Sequence, residues 1–382
     1  MRTALVSLVI SLAVAACTGP GVEVPPRASL TEAPATITAP GTPAGIAMHT
    51  LLDNLDQPWG MDFLPDGSLL VTELEGSLLR VDGSTFANTA IAGLPEVTAT
   101  GQGGLMDVLV HPQFASNQTI YLSYTVAQDR KYSTRVSRAR LVGDALVDVE
   151  SLFTAQPFFS QRRHFGSRLL WDNGYLFITV GDRGNRDRAQ DLDTHNGKVI
   201  RLHDDGRVPA DNPFVDLADA LPEIWTYGHR NPQGMAKHPV SAEIWVAEHG
   251  PRGGDEVNAL AAGTNYGWPV ITYGKEYSGG NIGVGTHADG MAQPLIYWVP
   301  SIGAAGMDFY SGDAYPGWSP SLLVAGLKLT RISRLELTDS GLGAETRLLS
   351  DLKMRIRDVQ LGPDGLIYAL ADGSRLIRLQ PE

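Results

Sequence analysis

The densest run of chemically capable residues is Glu248-His249-Gly250-Pro251-Arg252-Gly253-Gly254-Asp255-Glu256, answered ten residues later by Tyr266-Gly267-Trp268-Pro269. The apolar run Glu243 to Ala247 ahead of it reads as a strand, so these residues fall where the chain leaves a sheet. Three carboxylates, a histidine, three glycines and a proline suit a loop whose backbone can approach a ligand closely. Carbonyl oxygens beside carboxylates are also the hard donors that calcium prefers. The same composition suits a long acidic turn that binds nothing, and choosing between the two requires the rest of the chain.

The elements that would position this loop come from a repeated unit. An apolar run, a Pro-Asp-Gly-like turn and a second apolar strand appear in Gly60-Met61-Asp62-Phe63-Leu64-Pro65-Asp66-Gly67-Ser68-Leu69-Leu70-Val71. The same shape returns from Gly104, Ser167, Gly234, Gly306 and Arg357, at intervals of roughly 45 to 70 residues. Most units lead into another apolar strand, such as Ser77 to Val81, Lys198 to Leu202, Leu329 to Ile332 and Arg375 to Leu379. Six such units predict an all-β, six-bladed β-propeller of four-stranded antiparallel blades, with long insertions in the middle blades. The early strand His49 to Leu55 would then pair with the last blade and close the ring.

In such a ring, function sits on the loops at one mouth of the central channel. Gln102 precedes the second unit, His164 the third, and Arg230 and Asn231 the fourth, while Lys328 follows the fifth and Arg355 and Arg357 open the sixth. Singly, each reads as a turn, a surface pair or a half-exposed strand position. Together, several cations beside an acidic calcium-type loop would form a pocket for an anionic ligand held next to a metal.

Composition narrows the partners. The net charge of -12 over 382 residues argues against nucleic acid and anionic membrane surfaces. No glycine-rich nucleotide loop joins a strand to a helix, so nicotinamide or flavin use has no support. Residues 1–16 read as a signal peptide, with Val14-Ala15-Ala16-Cys17 as a lipoprotein cleavage site, and Cys17 is the chain's one cysteine. Residues 17–46 form a Pro-rich tether, leaving 47–382 as the catalytic propeller of an exported, lipid-anchored protein.

The chain resembles the soluble, pyrroloquinoline-quinone-dependent aldose sugar dehydrogenases, relatives of soluble quinoprotein glucose dehydrogenase. The likeness rests on Gly101-Gln102-Gly103-Gly104, Arg163-His164-Phe165-Gly166 and Gly228-His229-Arg230-Asn231-Pro232-Gln233-Gly234. It extends through the Glu248 to Glu256 loop, Asn265 to Pro269, Leu327-Lys328 and Arg355-Ile356-Arg357-Asp358, and so covers the chain beyond the tether. It implies that Gln102, Arg230, Asn231, Lys328, Arg355 and Arg357, with Tyr277 as a looser candidate, hold the quinone. By the same likeness Gly250 and Pro251 would give carbonyls to a calcium ion at the quinone, and Glu256 and Tyr266 would hold a second, structural calcium. His164 would take the proton of the sugar's anomeric hydroxyl as hydride leaves for the quinone, with Arg230 stabilising developing charge, and a lactone would result. Electrons would pass on to an external acceptor.

Two positions depart from the better-known glucose dehydrogenases, where an Asp stands at Arg163 and a Gln at His249. Both bear on substrate and cofactor contacts, and the short connections between blades leave little material for a dimer interface or a selective sugar lid, so a monomer with broad aldose tolerance is expected. The competing class is a calcium-stabilised propeller that binds a glycan or protein without redox chemistry, or a lactonase, because this fold proves no activity.

Overall fold

The computed structural model describes residues 45–382 except 340, 351 and 372. A first strand, β1 (Ile46–Leu52), precedes blade one, made of β2 (Pro58–Phe63), β3 (Leu69–Glu73), β4 (Ser77–Val81) and β5 (Asn88–Ala90). Blade two holds β6 (Leu105–Val110), β7 (Thr119–Gln128), β8 (Lys131–Val142) and β9 (Ala145–Thr154). Blade three holds β10 (Leu169–Asp172), β11 (Tyr175–Val180), β12 (Lys198–His203) and β13 (Ile224–Tyr227). Blade four holds β14 (Pro232–Lys237), β15 (Ile244–Glu248), β16 (Asp255–Ala259) and β17 (Ile296–Trp298). Blade five holds β18 (Ala304–Tyr310), β19 (Ser321–Gly326), β20 (Arg331–Thr338) and β21 (Gly341–Leu348), and blade six β22 (Ile356–Leu361), β23 (Ile367–Ala371) and β24 (Arg375–Pro381).

Each sheet has four antiparallel strands, and β1 completes blade six by pairing with β24. The expected six-bladed propeller is therefore the fold. The closing strand is Ile46–Leu52 and not His49 to Leu55, so the ring begins at Ile46, inside the expected tether. Leu329 and Thr330 likewise fall in a turn ahead of β20, where Thr330 has a left-handed φ of 45°. The expected leader, Cys17 and the tether up to residue 44 lie outside the described residues.

Strands such as β3 and β23 are buried at every position, whereas β5 is exposed at every position. The inner strands of a blade are covered on both faces by neighbouring blades, which selects unbroken apolar runs over alternation. The core is accordingly distributed between blades. Leu70, Leu78, Val108 and Leu122 join blades one and two, and Leu323, Ile332, Val359 and Ile377 join five and six.

The recurring Asp of the repeat has a specific use. From β2, Asp62 accepts the N–H of Val110 in blade two at 2.6 Å, and from β6, Asp107 accepts that of Leu169 in blade three at 2.8 Å. Asp308 accepts Leu361 N–H at 2.8 Å, and Asp358 closes the circle on Met61 N–H at 3.2 Å. Each carboxylate ties the innermost strand of one blade to the next. Burial pushes Asp62 and Asp107 up to about 7 and Asp308 up to about 6.

Arg168, just ahead of β10, fills the channel between these carboxylates. Its guanidinium meets Asp107 at 2.8 Å and Asp358 at 3.1 Å, gives Nε–H to Gln233 O at 3.0 Å, and lies 4.7 Å from the Trp59 ring. One side chain from blade three thus touches blades one, two, four and six. Replacing Arg168 with Met should lower stability by about 3–5 kcal/mol, because two buried carboxylates lose their counter-charge. Chemical denaturation should show a lower midpoint with an unchanged slope, largely restored by adding Asp107→Asn and Asp358→Asn; an unchanged midpoint for Arg168→Met alone would refute the tie.

Candidate active site

The mouth at the leading ends of β2, β6, β10, β14 and β22 collects the site, and two insertions build its wall. One is the loop 181–197 between β11 and β12. The other is the connection 260–295 between β16 and β17, which bridges to Tyr227 at Asn265 before folding over the mouth. Inside the first loop, buried Lys198 gives its ammonium to the carbonyls of Arg188, Ala189 and Asn196, which fixes the loop's far end. Burial brings that amine down to about 7.

His164 lies between β9 and β10 with a left-handed φ of 54°. Such a conformation is costly for a residue with a side chain and persists where its surroundings enforce it. Its N–H donates to Gln102 Oε1 at 2.8 Å, and its ring Nδ1 meets Asp182 Oδ1 at 2.6 Å. Gly181 makes this approach possible, since a Cβ there would collide with the His164 carbonyl. Asp182 is 1% exposed. Its Oδ1 also accepts Gly184 N–H at 2.7 Å, and its Oδ2 accepts the indole N–H of Trp268 at 2.8 Å. Burial lowers His164 from its ordinary value, with Arg230 and Arg163 adding to the effect, and Asp182 offsets only part of it. Burial acts to raise Asp182, yet His164, Arg230 and the Gly184 N–H hold it below the usual carboxylate value. A neutral imidazole with Nδ1–H on a carboxylate leaves Nε2 as a lone-pair base, the arrangement expected of a proton acceptor.

Two cavities meet at Gln102. One, of about 390 Å³, is lined by His164, Asp182, Arg230, Pro251 and Trp268, with Tyr277 at its edge, 72% exposed. The other, of about 260 Å³, is lined by Gln102, Asn231, His249, Arg355 and Arg357 beside Trp59. Gln102 and Asn231 use their amide oxygens on the N–H groups of His164 and Gly166, so their NH₂ groups are the donors left for a ligand. Arg357 gives one N–H to Gln233 Oε1 at 3.1 Å. His249 turns a buried Nε2 toward this cavity with no partner, and burial first, then Arg230 and Arg357, keeps its ring well below the ordinary imidazole value. A lining rich in amide NH₂ groups and guanidinium suits an oxygen-rich anion. Lys328 is exposed, one residue beyond the lining Leu327.

Arg230 links these parts. Its N–H binds Glu248 Oε2 at 2.7 Å, its Nη1 binds the carbonyls of His249 and Gly250 at 3.0 Å each, and its guanidinium lies 5.3 Å from the Trp268 ring. The three acids of the loop, which the sequence offered together, have different uses. Glu248 ends β15 and is spent on Arg230 N–H and His229 Nδ1. Asp255 begins β16, is fully buried, and holds Gly250 N–H at 3.0 Å and Ala304 N–H at 2.8 Å. Glu256 alone keeps its carboxylate for other use, with Asn258 Nδ2 at 3.4 Å.

Glu256 stands directly opposite Glu248 in the β15–β16 ladder. Like charges in that register repel. Burial, then the charge of Glu248, raises Glu256 well above the usual carboxylate value. A cavity of about 10 Å³ lies beside the pair, lined by both glutamates, Gly250, Tyr266 and Thr272. The Tyr266 hydroxyl is engaged with Ala259 O at 2.7 Å and Ala261 N–H at 3.0 Å. One carboxylate, nearby carbonyls and room for a single small ion fit a hard cation. Among the described residues no three His, Cys, Asp or Glu side chains cluster as a metal cage, so any cation here would draw mainly on backbone oxygen.

Sequence reasoning thus located Gln102, His164, Arg230, Asn231, Arg355 and Arg357, which do line the mouth, but missed Asp182. Its signal was Gly181-Asp182-Arg183-Gly184, a charged turn directly after a strand.

Comparison with known proteins gives likenesses over most of the chain. Aldose sugar dehydrogenase YliI of Escherichia coli is 42% identical over 348 residues, which cover 89% of this chain and 94% of that protein. The apo-form crystal structure of the soluble aldose sugar dehydrogenase from Escherichia coli superposes with a TM-score of 0.86 at 41% identity, covering 88% of this chain and all of that one. The PQQ-bound aldose sugar dehydrogenase of Streptomyces coelicolor superposes with a TM-score of 0.73 at 27% identity, over 90% of this chain and all of that one. Residues 55–378 match the family model described as glucose / sorbosone dehydrogenase, and the chain belongs to that family.

Proposed function

We propose that this chain is an exported quinoprotein that oxidises aldose sugars at the anomeric carbon to lactones, with pyrroloquinoline quinone and calcium as cofactors and a separate electron acceptor. The observation that carries the reading is the His164–Asp182 pair opening onto a cavity that adjoins a second, donor-lined one. The PQQ-bound relative supports the choice of cofactor. Residues 1–17 alone support export and a lipid anchor at Cys17.

Gln102, Asn231, Arg355 and Arg357 would hold the quinone's oxygens, with Lys328 and Tyr277 closing over it from the rim. Gly250 and Pro251 would offer carbonyls to the catalytic calcium, and Glu256 with the Tyr266 carbonyl to a structural one. When bound, the quinone supplies the two-electron acceptor and its calcium the Lewis acid.

The residues of the chain divide the remaining work. His164 Nε2 takes the proton of the anomeric hydroxyl, so that the C–H electron pair can leave and the C–O bond becomes a carbonyl. Asp182 holds Nδ1–H and stabilises the imidazolium that forms. Arg230, pinned by two carbonyls and Glu248, keeps a positive charge beside the reacting atoms without moving to meet them. The hydrolytic alternative needs a channel calcium gathered by several acids, whereas Asp107 and Asp358 here are occupied by Arg168.

Reconstituting the soluble domain with calcium and pyrroloquinoline quinone, then following dye reduction with a panel of aldoses, tests the whole reading. Activity should need both additions; turnover without either would refute it. His164→Ala should keep quinone affinity and lose oxidation by about 100-fold or more. Because burial lowers His164, the native kcat/KM should fall only as pH drops below the ordinary histidine value, when the base becomes protonated; a limb above that value would contradict the assignment. Lys328→Ala should weaken quinone affinity, measured by fluorescence titration, and leave the pH profile in place. Calcium at about 100-fold over the Kd of the structural site should, by filling that site, stabilise the native protein by about 2.7 kcal/mol. Glu256→Gln should remove that contribution while raising the melting temperature of the calcium-free protein, since it removes the repulsion with Glu248.

A further inference from the structure

Trp268 belongs to the long excursion of blade four, yet its indole reaches a carboxylate on a loop of blade three. Its Nε1–H donates to Asp182 Oδ2 at 2.8 Å, while Asp182 Oδ1 is taken by His164 and by Gly184 N–H. The two oxygens of one carboxylate are thus divided, one to the base and one to the indole. The ring is 7% exposed and packs on Ala189 and Ile282, and its opposite use is as the face over which the Arg230 guanidinium lies. The Trp268 carbonyl accepts Gln190 Nε2 at 2.7 Å, which also ties it to the loop carrying Asp182. Backbone and side chain are therefore both fastened to blade three.

We propose that Trp268 is a positioning residue for proton transfer, its indole N–H fixing the rotation of the Asp182 carboxylate so that Oδ1 stays on His164 Nδ1. This rests on His164 acting as the base. A carboxylate held at one oxygen only can swing about its Cβ–Cγ bond, and the base loses its orientation. A second consequence is electrostatic. Withdrawing a donor from Oδ2 concentrates charge on the carboxylate, which then favours the imidazolium of His164 and makes the neutral base scarcer at a given pH. The other charged groups facing the pair are Arg230 and Arg163 around His164, and Arg230, Arg183 and Arg186 around Asp182, and all of them stay in place when only the indole donor is removed.

The test uses the holoenzyme loaded with calcium and pyrroloquinoline quinone. Trp268→Phe removes the donor, and a second protein carrying a benzothiophene analogue of tryptophan at 268 removes it while keeping the bicyclic ring. In the analogue protein, quinone affinity should stay within about twofold of native, kcat should fall about tenfold at neutral pH with KM little changed, and the ascending limb of kcat/KM should move up by about one pH unit. A structural role alone would leave that limb where it is. An analogue protein with native kcat and an unmoved limb overturns the proposal, and so does one that loses quinone affinity, which would make Trp268 a cofactor-packing residue. His164→Ala, with Trp268 intact, is run alongside. Retained oxidation there would strike the base assignment itself, and the two failures are read on different variants.

Discussion

The channel of this propeller is held by one cation. Arg168 reaches four other blades from the third, and without it the buried carboxylates of Asp107 and Asp358 would lose their shared counter-charge. Those carboxylates are not spare, since each also receives a backbone N–H from the next blade. A ring of blades has no sequence-local reason to close at six; closure depends on each junction being satisfied on both sides. Apolar slabs between blades supply most of the burial, and the Asp ties with their central arginine set the register in which those slabs meet.

A closed ring permits strain at its mouth. His164 sits in a left-handed conformation, with its N–H on Gln102 from one loop and its ring on Asp182 from another. Three loops thus meet at one imidazole. None could hold the geometry alone, because loops lack a ladder of their own. Lys198 substitutes for such a ladder by taking three carbonyls of the 181–197 loop on one ammonium, and Ala189, one of the residues so held, is part of the surface on which Trp268 packs.

The legible and illegible parts of the sequence divide along the same physical line. The Gly-Met-Asp-Phe repeat was readable because its Asp performs the same inter-blade tie in several copies, so the pattern recurs. Gln102, Asn231 and Arg357 were readable because they occupy equivalent positions at blade entrances. Asp182 was not, since its partner His164 lies on another loop and nothing periodic marks it. Trp268 was visible in its motif, but its bond to a residue 86 positions away was not. The acidic loop was legible only in its composition. Glu248 ends a strand and spends its oxygens on Arg230 N–H and the His229 ring, while Asp255 begins a strand and spends its own on backbone N–H groups, and nothing in the sequence marks either use. Composition reports which groups are present and is silent on which are already satisfied.

That distinction matters most along the segment from Glu248 to Glu256, where neighbouring acids have different uses. Glu248 holds the N–H of Arg230, while across the ladder Glu256 keeps a carboxylate at the same small cavity. Two acids in that register are tolerable if one is protonated or if a cation lies between them. Protonating Glu256 would leave Glu248 charged and Arg230 in place; a divalent ion would supply the counter-charge instead, and Glu256 with the Tyr266 carbonyl would hold it. The Glu256 carboxylate and the His249 and Gly250 carbonyls that hold the Arg230 guanidinium thus belong to one short segment, which forms a single connection between the two strands. A loop rich in glycine can carry that connection because its backbone packs on itself at Gly250, where any side chain would collide with the carbonyl of Gly253.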